Sequence, residues 1–218
     1  MPLKTYRTVD VSIVIVNQNQ GVFLERCIRS CLAQTFPGRF HEVFVVDAAS
    51  TDFSREVIQS YGRKIQPVFL EQPAGIEEAI ASGLRRTNNS RYVLTVRAQD
   101  FLADYMILFQ SIWLFQNHDH EGVYADYWMV ERETDTKLHR VSGKDFPCFY
   151  GTMYRKEALV KEGLYQPSAA RWEPQALQEQ LASKHRIGHL TIPFYRYQQD
   201  EKVTARPAER VGEEAHRR

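Results

Sequence analysis

The chain has 218 residues, 43% of them apolar and 25% charged, with a formal net charge of +1. That length admits one large domain or a domain with a subdomain, and that apolar share supports a packed core, which excludes wholesale disorder. Balanced charge with no basic stripe argues against nucleic acid as a partner, and no apolar run reaches the ~18 residues of a membrane span.

The N-terminus carries no charged flank followed by an apolar stretch of signal length. The expected location is therefore cytoplasmic, or peripheral at the inner face of a membrane. Cys27, Cys31 and Cys148 form no CxxC pair, so they read as reduced, packed thiols, the first two on one helix face.

In chain order, VSIVIV (Val11–Val16) is short, β-branched and apolar on both faces, the pattern of a buried parallel strand. A polar, turn-like NQNQGVF follows. Leu24–Gln34 places Leu24, Cys27, Ile28, Cys31 and Leu32 on one side of an amphipathic helix, ended by Pro37 and Gly38. HEVFVV (His41–Val46) is a second strand, running into VVDAASTD. A capped helix stops at Gly62, Ile65–Glu71 is a third strand, GIEEAIASGLRRT a helix, and Arg91–Val96 a fourth strand ending at RAQD.

Alternating strands and helices imply a parallel sheet with helices on both faces, and such sheets bind ligands beyond the carboxyl ends of their strands. Asp47 stands at the end of the second strand and Asp100 just past the fourth, so both acids can line one crevice. Beyond residue 100 the pattern changes. DYMILFQSIWLFQNH is a long apolar helix, and Gly122–Glu131 with Lys137–Gly143 reads as a β-hairpin. Tyr154–Gly163 and Pro174–His185 read as helices, HLTIPFYRYQQ as a late strand, and the stretch from about 200 to 218 as a polar, loose tail.

Taken together, VSIVIVNQNQGVFLERCIRSCLAQTFP, EVFVVDAASTD, GIEEAIASGL and YVLTVRAQD resemble the ordered landmarks of family 2 glycosyltransferases, with their α/β GT-A fold, in the subgroup with D-G-G-S-T-D and N-S-G-D motifs. The likeness runs from about residue 10 to 197. It implies a single domain over residues 1–199, with a nucleotide-binding half at about 10–103 and an acceptor half at about 104–199. It also implies transfer of a sugar from a nucleotide-sugar donor to a hydroxyl of a glycan or lipid-linked acceptor. Carried over by position, Asn19 and Asp47 would serve the nucleotide, Asp100 a divalent cation (Mg²⁺ or Mn²⁺) at the diphosphate, and Glu173 the acceptor as catalytic base. A hard cation and carboxylate oxygens suit a diphosphate, and a positioned carboxylate suits deprotonation of a hydroxyl.

The sequence departs from the family pattern at four places. The usual D-x-D is Arg97-Ala98-Gln99-Asp100, the acid pair before the last helix is Glu173-Pro174, the first loop reads Val16-Asn17-Gln18-Asn19, and an expected Asn is replaced by Ile80-Ala81. Arg97 would reach a phosphate directly, since a guanidinium matches phosphate geometry.

Each residue also has a plainer reading. Asp47 can cap a turn, Ser50-Thr51-Asp52 reads first as a helix N-cap, Asp100 can simply start the next segment, and Glu173 suits a helix's first turn. His185 and His189 are four apart, but Gly188 intervenes, so a metal pair is disfavoured. Tyr124, Tyr127, Trp128, Phe146, Phe149 and Tyr150 read mainly as packing, and Trp172 as an acceptor platform. The rival to an active transferase is a degenerate binding or scaffold module assisting a partner glycosyltransferase, and a homodimer is a further expectation. A nucleotidyltransferase would want a Gly-rich basic loop, and NQNQGVF has one Gly and no Lys or Arg.

Overall fold

A computed structural model describes residues 9–36, 40–87, 90–131, 134–144, 148–164 and 174–198. The first half alternates β1 (Val11–Asn17), α1 (Gly21–Leu32), β2 (His41–Asp47), α2 (Ser54–Ser60), β3 (Gln66–Phe69), α3 (Ile76–Arg86) and β4 (Tyr92–Arg97). All four strands are parallel. Every residue of β1 is buried, which is why its sequence is apolar on both faces from Ile13 to Val16 rather than alternating.

The strand order is β3-β2-β1-β4. The chain therefore steps outward twice, then jumps back across β1. With right-handed crossovers, α1 and α2 cover one face and α3 the other. Gly83 lets α3 approach, because a Cβ there would stand 2.3 Å from Val14 Cγ1 and 2.9 Å from Val46 Cγ2. The reversal leaves a crevice between the carboxyl ends of β1 and β4, the place where open α/β sheets take ligands.

The second half extends the same sheet. It comprises β5 (Phe101–Leu102), α4 (Ile107–Asn117), β6 (Gly122–Val130), β7 (Lys137–Val141), β8 (Met153–Arg155), α5 (Lys156–Lys161), α6 (Pro174–Lys184) and β9 (Ile187–Gln198). β8 runs antiparallel between β4 and β6, β9 parallel to β6, β5 antiparallel to β9, and β7 forms the expected hairpin with β6. The result is a mixed α/β architecture with a mostly parallel first half and helices on its faces.

Two strands have no counterpart in the sequence reading. Met153–Arg155, read as helix, is β8, and Phe101–Leu102 is β5. Neither is long enough to carry a period. Cys27 and Cys31 are buried on α1 and all three thiols are free. Burial pushes the Cys148 thiol up to about 12. Among the described residues no helix is long and apolar enough to cross a membrane.

Candidate functional site at the β1–β4 switch point

The register of β1 against β2 sets Asn17 beside Asp47, two polar residues ending two apolar strands. Both are buried. Asn17 Nδ2 donates to Asp47 Oδ1 at 2.8 Å, the Ser50 hydroxyl donates to the same oxygen, and the Ser50 amide reaches Oδ2 at 3.2 Å. Arg55 Nε lies 3.5 Å from Oδ2, its guanidinium over the Phe69 ring. Asp47 is thus wholly inside the protein and acts on the loop through its neighbours. Asn17 Oδ1 is left buried without a hydrogen-bond partner among the described residues.

The two loops that follow β1 and β2 are tied together. Asn19 (φ 52°) and Ala49 (φ 54°) both sit in the left-handed region, where a side chain is disfavoured. The Asn19 amide donates to Ser50 Oγ at 2.9 Å, and Asn19 Oδ1 accepts from the Thr51 amide at 2.8 Å. Asn19 and Thr51 are exposed, so they form the outer surface of this end of the crevice.

Asp52 joins the starts of two helices, accepting from Gly21 N at 2.9 Å and Ser54 N at 3.0 Å. Burial alone would raise its carboxyl, but the nearby Ser54 hydroxyl and these amide bonds hold it below the ordinary range. The N-cap expectation for Ser50-Thr51-Asp52 is corrected: the N-cap position of α2 is Phe53, without a side-chain cap bond, while Asp52, just before it, takes the Ser54 amide and Ser50 serves Asp47. Gly21 suits the junction, since a Cβ there would meet the Phe53 ring at 3.0 Å.

At the end of β4, Arg97 turns onto Asp100. Nε donates to Oδ2 at 2.7 Å and Nη2 to Oδ1 at 3.0 Å. The Tyr195 hydroxyl donates to Oδ2 at 2.6 Å and the Gln198 amide to Oδ1 at 2.8 Å. Arg97 Nη2 returns a bond to the Gln198 carbonyl at 2.9 Å, and the Tyr197 ring lies 4.0 Å from the guanidinium carbon. Asp100 has no exposed surface and the Arg97 side chain keeps 12%. Burial pulls Arg97 down, but the Asp100 charge and its hydrogen bonds carry it well above the ordinary value. Burial first, and then Asp100, pushes the Tyr195 hydroxyl well up.

The tie widens into a ring. Gln198 Nε2 donates to Asp135 Oδ1 at 3.1 Å, Asp135 pairs with Arg26 of α1, and Arg26 Nη2 donates to the Gln99 carbonyl at 3.2 Å. Helix α1, the β4 turn, the hairpin tip and the end of β9 are joined in one circuit.

These residues do not fit the divalent cation that the D-x-D resemblance implies. Each oxygen of Asp100 already accepts two donors. Among the described residues no group of three or more His, Cys, Asp or Glu could hold a metal.

Of the sequence candidates, Asn19 and Asp47 come together at one end of the crevice and Arg97 and Asp100 at the other. Glu173, Trp172 and Phe146 lie outside the described residues, although α6 begins at the next position, Pro174. His185 and His189 do not form a pair: His185 lies 3.2 Å from Glu162, and His189 lies 2.6 Å from Asp126, which Arg140 also holds. Phe149 and Tyr150 are buried packing, and Tyr124 stacks on His189 at 4.9 Å. Sequence reasoning missed Asn17, Arg26, Arg55, Tyr195 and Gln198. Only Asn17 had a signal, a polar residue closing an apolar strand.

A family profile described as Glycosyl transferase family 2 matches residues 12–163. Glycosyltransferase GlyG of Streptococcus pneumoniae serotype 4 is 26% identical over 141 residues, 62% of this chain and 45% of its own. A poly(ribitol-phosphate) beta-glucosyltransferase of Bacillus spizizenii is 27% identical over 106 residues, 45% of this chain and 16% of its own. The chain thus spans less than half the length of these relatives. Among solved structures, S. aureus TarS 1-349 in complex with UDP-GlcNAc superposes with a TM-score of 0.73 at 19% identity, covering 88% of this chain and 59% of TarS 1-349. The mannosyltransferase PcManGT from Pyrobaculum calidifontis, in complex with GDP-Man and Mn²⁺, gives 0.64 at 16%, covering 91% and 59%. These structures share the GT-A fold seen here.

Proposed function

This chain belongs to glycosyl transferase family 2, and from that premise we propose that it transfers a sugar from a nucleotide-sugar donor to a hydroxyl of a cell-surface glycan or lipid-linked acceptor. The observation that carries the reading is the polar edge of β1 and β2. Two strands, apolar over residues 13–16 and 43–46, end side by side in Asn17 and Asp47. Beyond them, two left-handed non-glycine residues hold Asn19 and Thr51 outward at the fold's switch point. The acceptor class follows the relative named for poly(ribitol-phosphate), and a uridine-diphosphate donor follows TarS.

On this reading Asn19 meets the nucleotide directly. Asp47 positions the loop through Ser50 and Arg55, and the Asn17 carbonyl oxygen offers an acceptor at the crevice floor. Arg97 and Asp100 shape the wall of the diphosphate end. Glu173 takes the proton of the acceptor hydroxyl and Trp172 stacks on an acceptor sugar. A carboxylate within hydrogen-bond reach of that hydroxyl contributes typically ~10²–10⁴-fold. Residues 10–103 would carry the donor and 104–199 the acceptor, at the inner face of a membrane or with a partner transferase.

A second reading, a non-catalytic module assisting a partner transferase, is favoured by one observation: Asp100, the acid at the D-x-D position, is held by the protein's own groups. Thermal unfolding against a panel of nucleotides and nucleotide-sugars separates the two, because a ligand that binds only the folded state raises the midpoint. A shift with one nucleotide, reduced in Asn19→Ala, supports the transferase. No shift with any of them removes the donor site and leaves the module.

A further inference from the structure

We propose that any nucleotide diphosphate bound at this crevice is bound without a divalent cation, because Asp100 is committed to Arg97 as a structural tie. The inference rests on the donor-site reading above and departs from the metal chemistry that the family resemblance implies.

A hard cation held through a protein carboxylate needs oxygen lone pairs pointing into an open, hydrated space. Asp100 offers neither. It has no exposed surface, and its two oxygens accept from Arg97 Nε, Arg97 Nη2, the Tyr195 hydroxyl and the Gln198 amide. A cation would have to displace a guanidinium that is itself nearly buried and capped by the Tyr197 ring at 4.0 Å. Breaking a buried pair leaves an uncompensated charge, which is strongly destabilising.

No second acid stands in the turn itself. Positions 97, 98 and 99 are Arg, Ala and Gln. Asp135, which reaches the same circuit, is paired with Arg26 and accepts from Gln198. The local charge is balanced internally as two ion pairs, so the arrangement is complete as it stands.

The test uses two independent readouts on the full chain. The first is the electron paramagnetic resonance signal of free Mn²⁺ titrated with protein alone. The signal is expected to stay at its protein-free level, and a loss that Asp100→Asn restores overturns the proposal. The second is calorimetric titration with UDP and with GDP, in Mn²⁺ and in EDTA. Affinities are expected to agree within about twofold, whereas a loss of about tenfold or more in EDTA, reproduced in Mn²⁺ by Asp100→Asn, overturns it.

If Asp100→Asn does not fold, the double variant Arg97→Met/Asp100→Leu replaces the pair by apolar side chains of similar size. Its ratio of affinities with and without Mn²⁺ is expected to match that of the unsubstituted chain. A ratio that changes counts against the proposal. If neither nucleotide binds in either condition, the donor reading falls while the resonance signal still decides the state of Asp100.

Discussion

Arg97 and Asp100, three positions apart at the carboxyl end of β4, grip each other through two hydrogen bonds in a space that leaves the acid no exposed surface. A buried pair of this kind contributes little by its presence and a great deal by its removal, since either survivor is left as an unpaired charge. Arg97→Met and Asp100→Asn are each expected to lower stability by about 3–5 kcal/mol, and Arg97→Met/Asp100→Leu by less than the sum of the two. A double-mutant cycle by denaturant unfolding checks this. Additive losses would show that the two side chains are energetically independent.

Ala49 holds φ at 54° between Ala48 and Ser50. A left-handed backbone costs a residue bearing Cβ about 1–2 kcal/mol relative to glycine. Ala49→Gly is therefore expected to stabilise the chain by about 1 kcal/mol, offset in part by the greater freedom glycine gives the unfolded state. Scanning calorimetry is expected to show a midpoint about 2–4 °C higher for a chain of this size. A lower midpoint would mean the loop relaxes elsewhere.

On the proposed reading, the buried Asp47 does structural work and the exposed Asn19 meets the nucleotide. Asp47→Ala removes an acceptor shared by Asn17 Nδ2, the Ser50 hydroxyl and the Ser50 amide, and leaves Asn17 Nδ2 only the longer bond to Ser50 Oγ at 3.1 Å, so it is expected to cost about 2–4 kcal/mol. Asn19→Ala loses the exposed bond to the Thr51 amide and puts alanine at φ 52°, so it is expected to cost about 1 kcal/mol, less than Asp47→Ala, while weakening nucleotide binding several-fold. Unfolding and nucleotide titration of both variants separate the roles. Equal stability losses would place Asn19 in the scaffold instead.

His41 is the pH-sensitive group that reports on α1. Burial lowers its imidazole below the ordinary 6.5, against a contrary pull from the Cys31 carbonyl, which lies 3.2 Å from Nε2. The unfolded chain therefore takes up this proton first as pH falls. Stability contributed here is complete above 6.5 and is lost as pH drops through the lowered folded value. His41→Gln keeps a donor for Cys31 and cannot titrate, so its midpoint is expected to fall less between pH 7.5 and pH 5.5. Parallel curves would assign the slope to other groups.

The first half, residues 10–103, was legible because its strands are buried and its helices keep a 3,4-period, so β1, β2, β4 and α1 announce themselves. The second half was harder. β9 pairs with β6 over residues 187–190 and again over 195–198, but a strand added from far along the chain leaves no local mark of its neighbour. At the site, Asp47 and Asp100 were visible as acids at strand ends. Their partners were not, since Tyr195 and Gln198 lie 95 and 98 positions beyond Asp100, and nothing in RAQD says that its acid is already taken. The family likeness supplied a cation, and the packing of Arg97 argues against it.

The circuit from Arg26 through Gln99, Asp100, Gln198 and Asp135 has a consequence for the order in which the molecule can be completed. A ribosome delivers residues 11–100 as a string of strand–helix units able to pair as they emerge, since domains assemble from the N-terminus during synthesis. Yet the last two groups that satisfy Asp100 arrive only with residues 195 and 198. Until then the nascent sheet carries an acid at its open edge whose remaining lone pairs face water. The Asp100 end of the crevice therefore closes only once β9 has been made, and a chain interrupted before β9 would have β1–β4 without that closure.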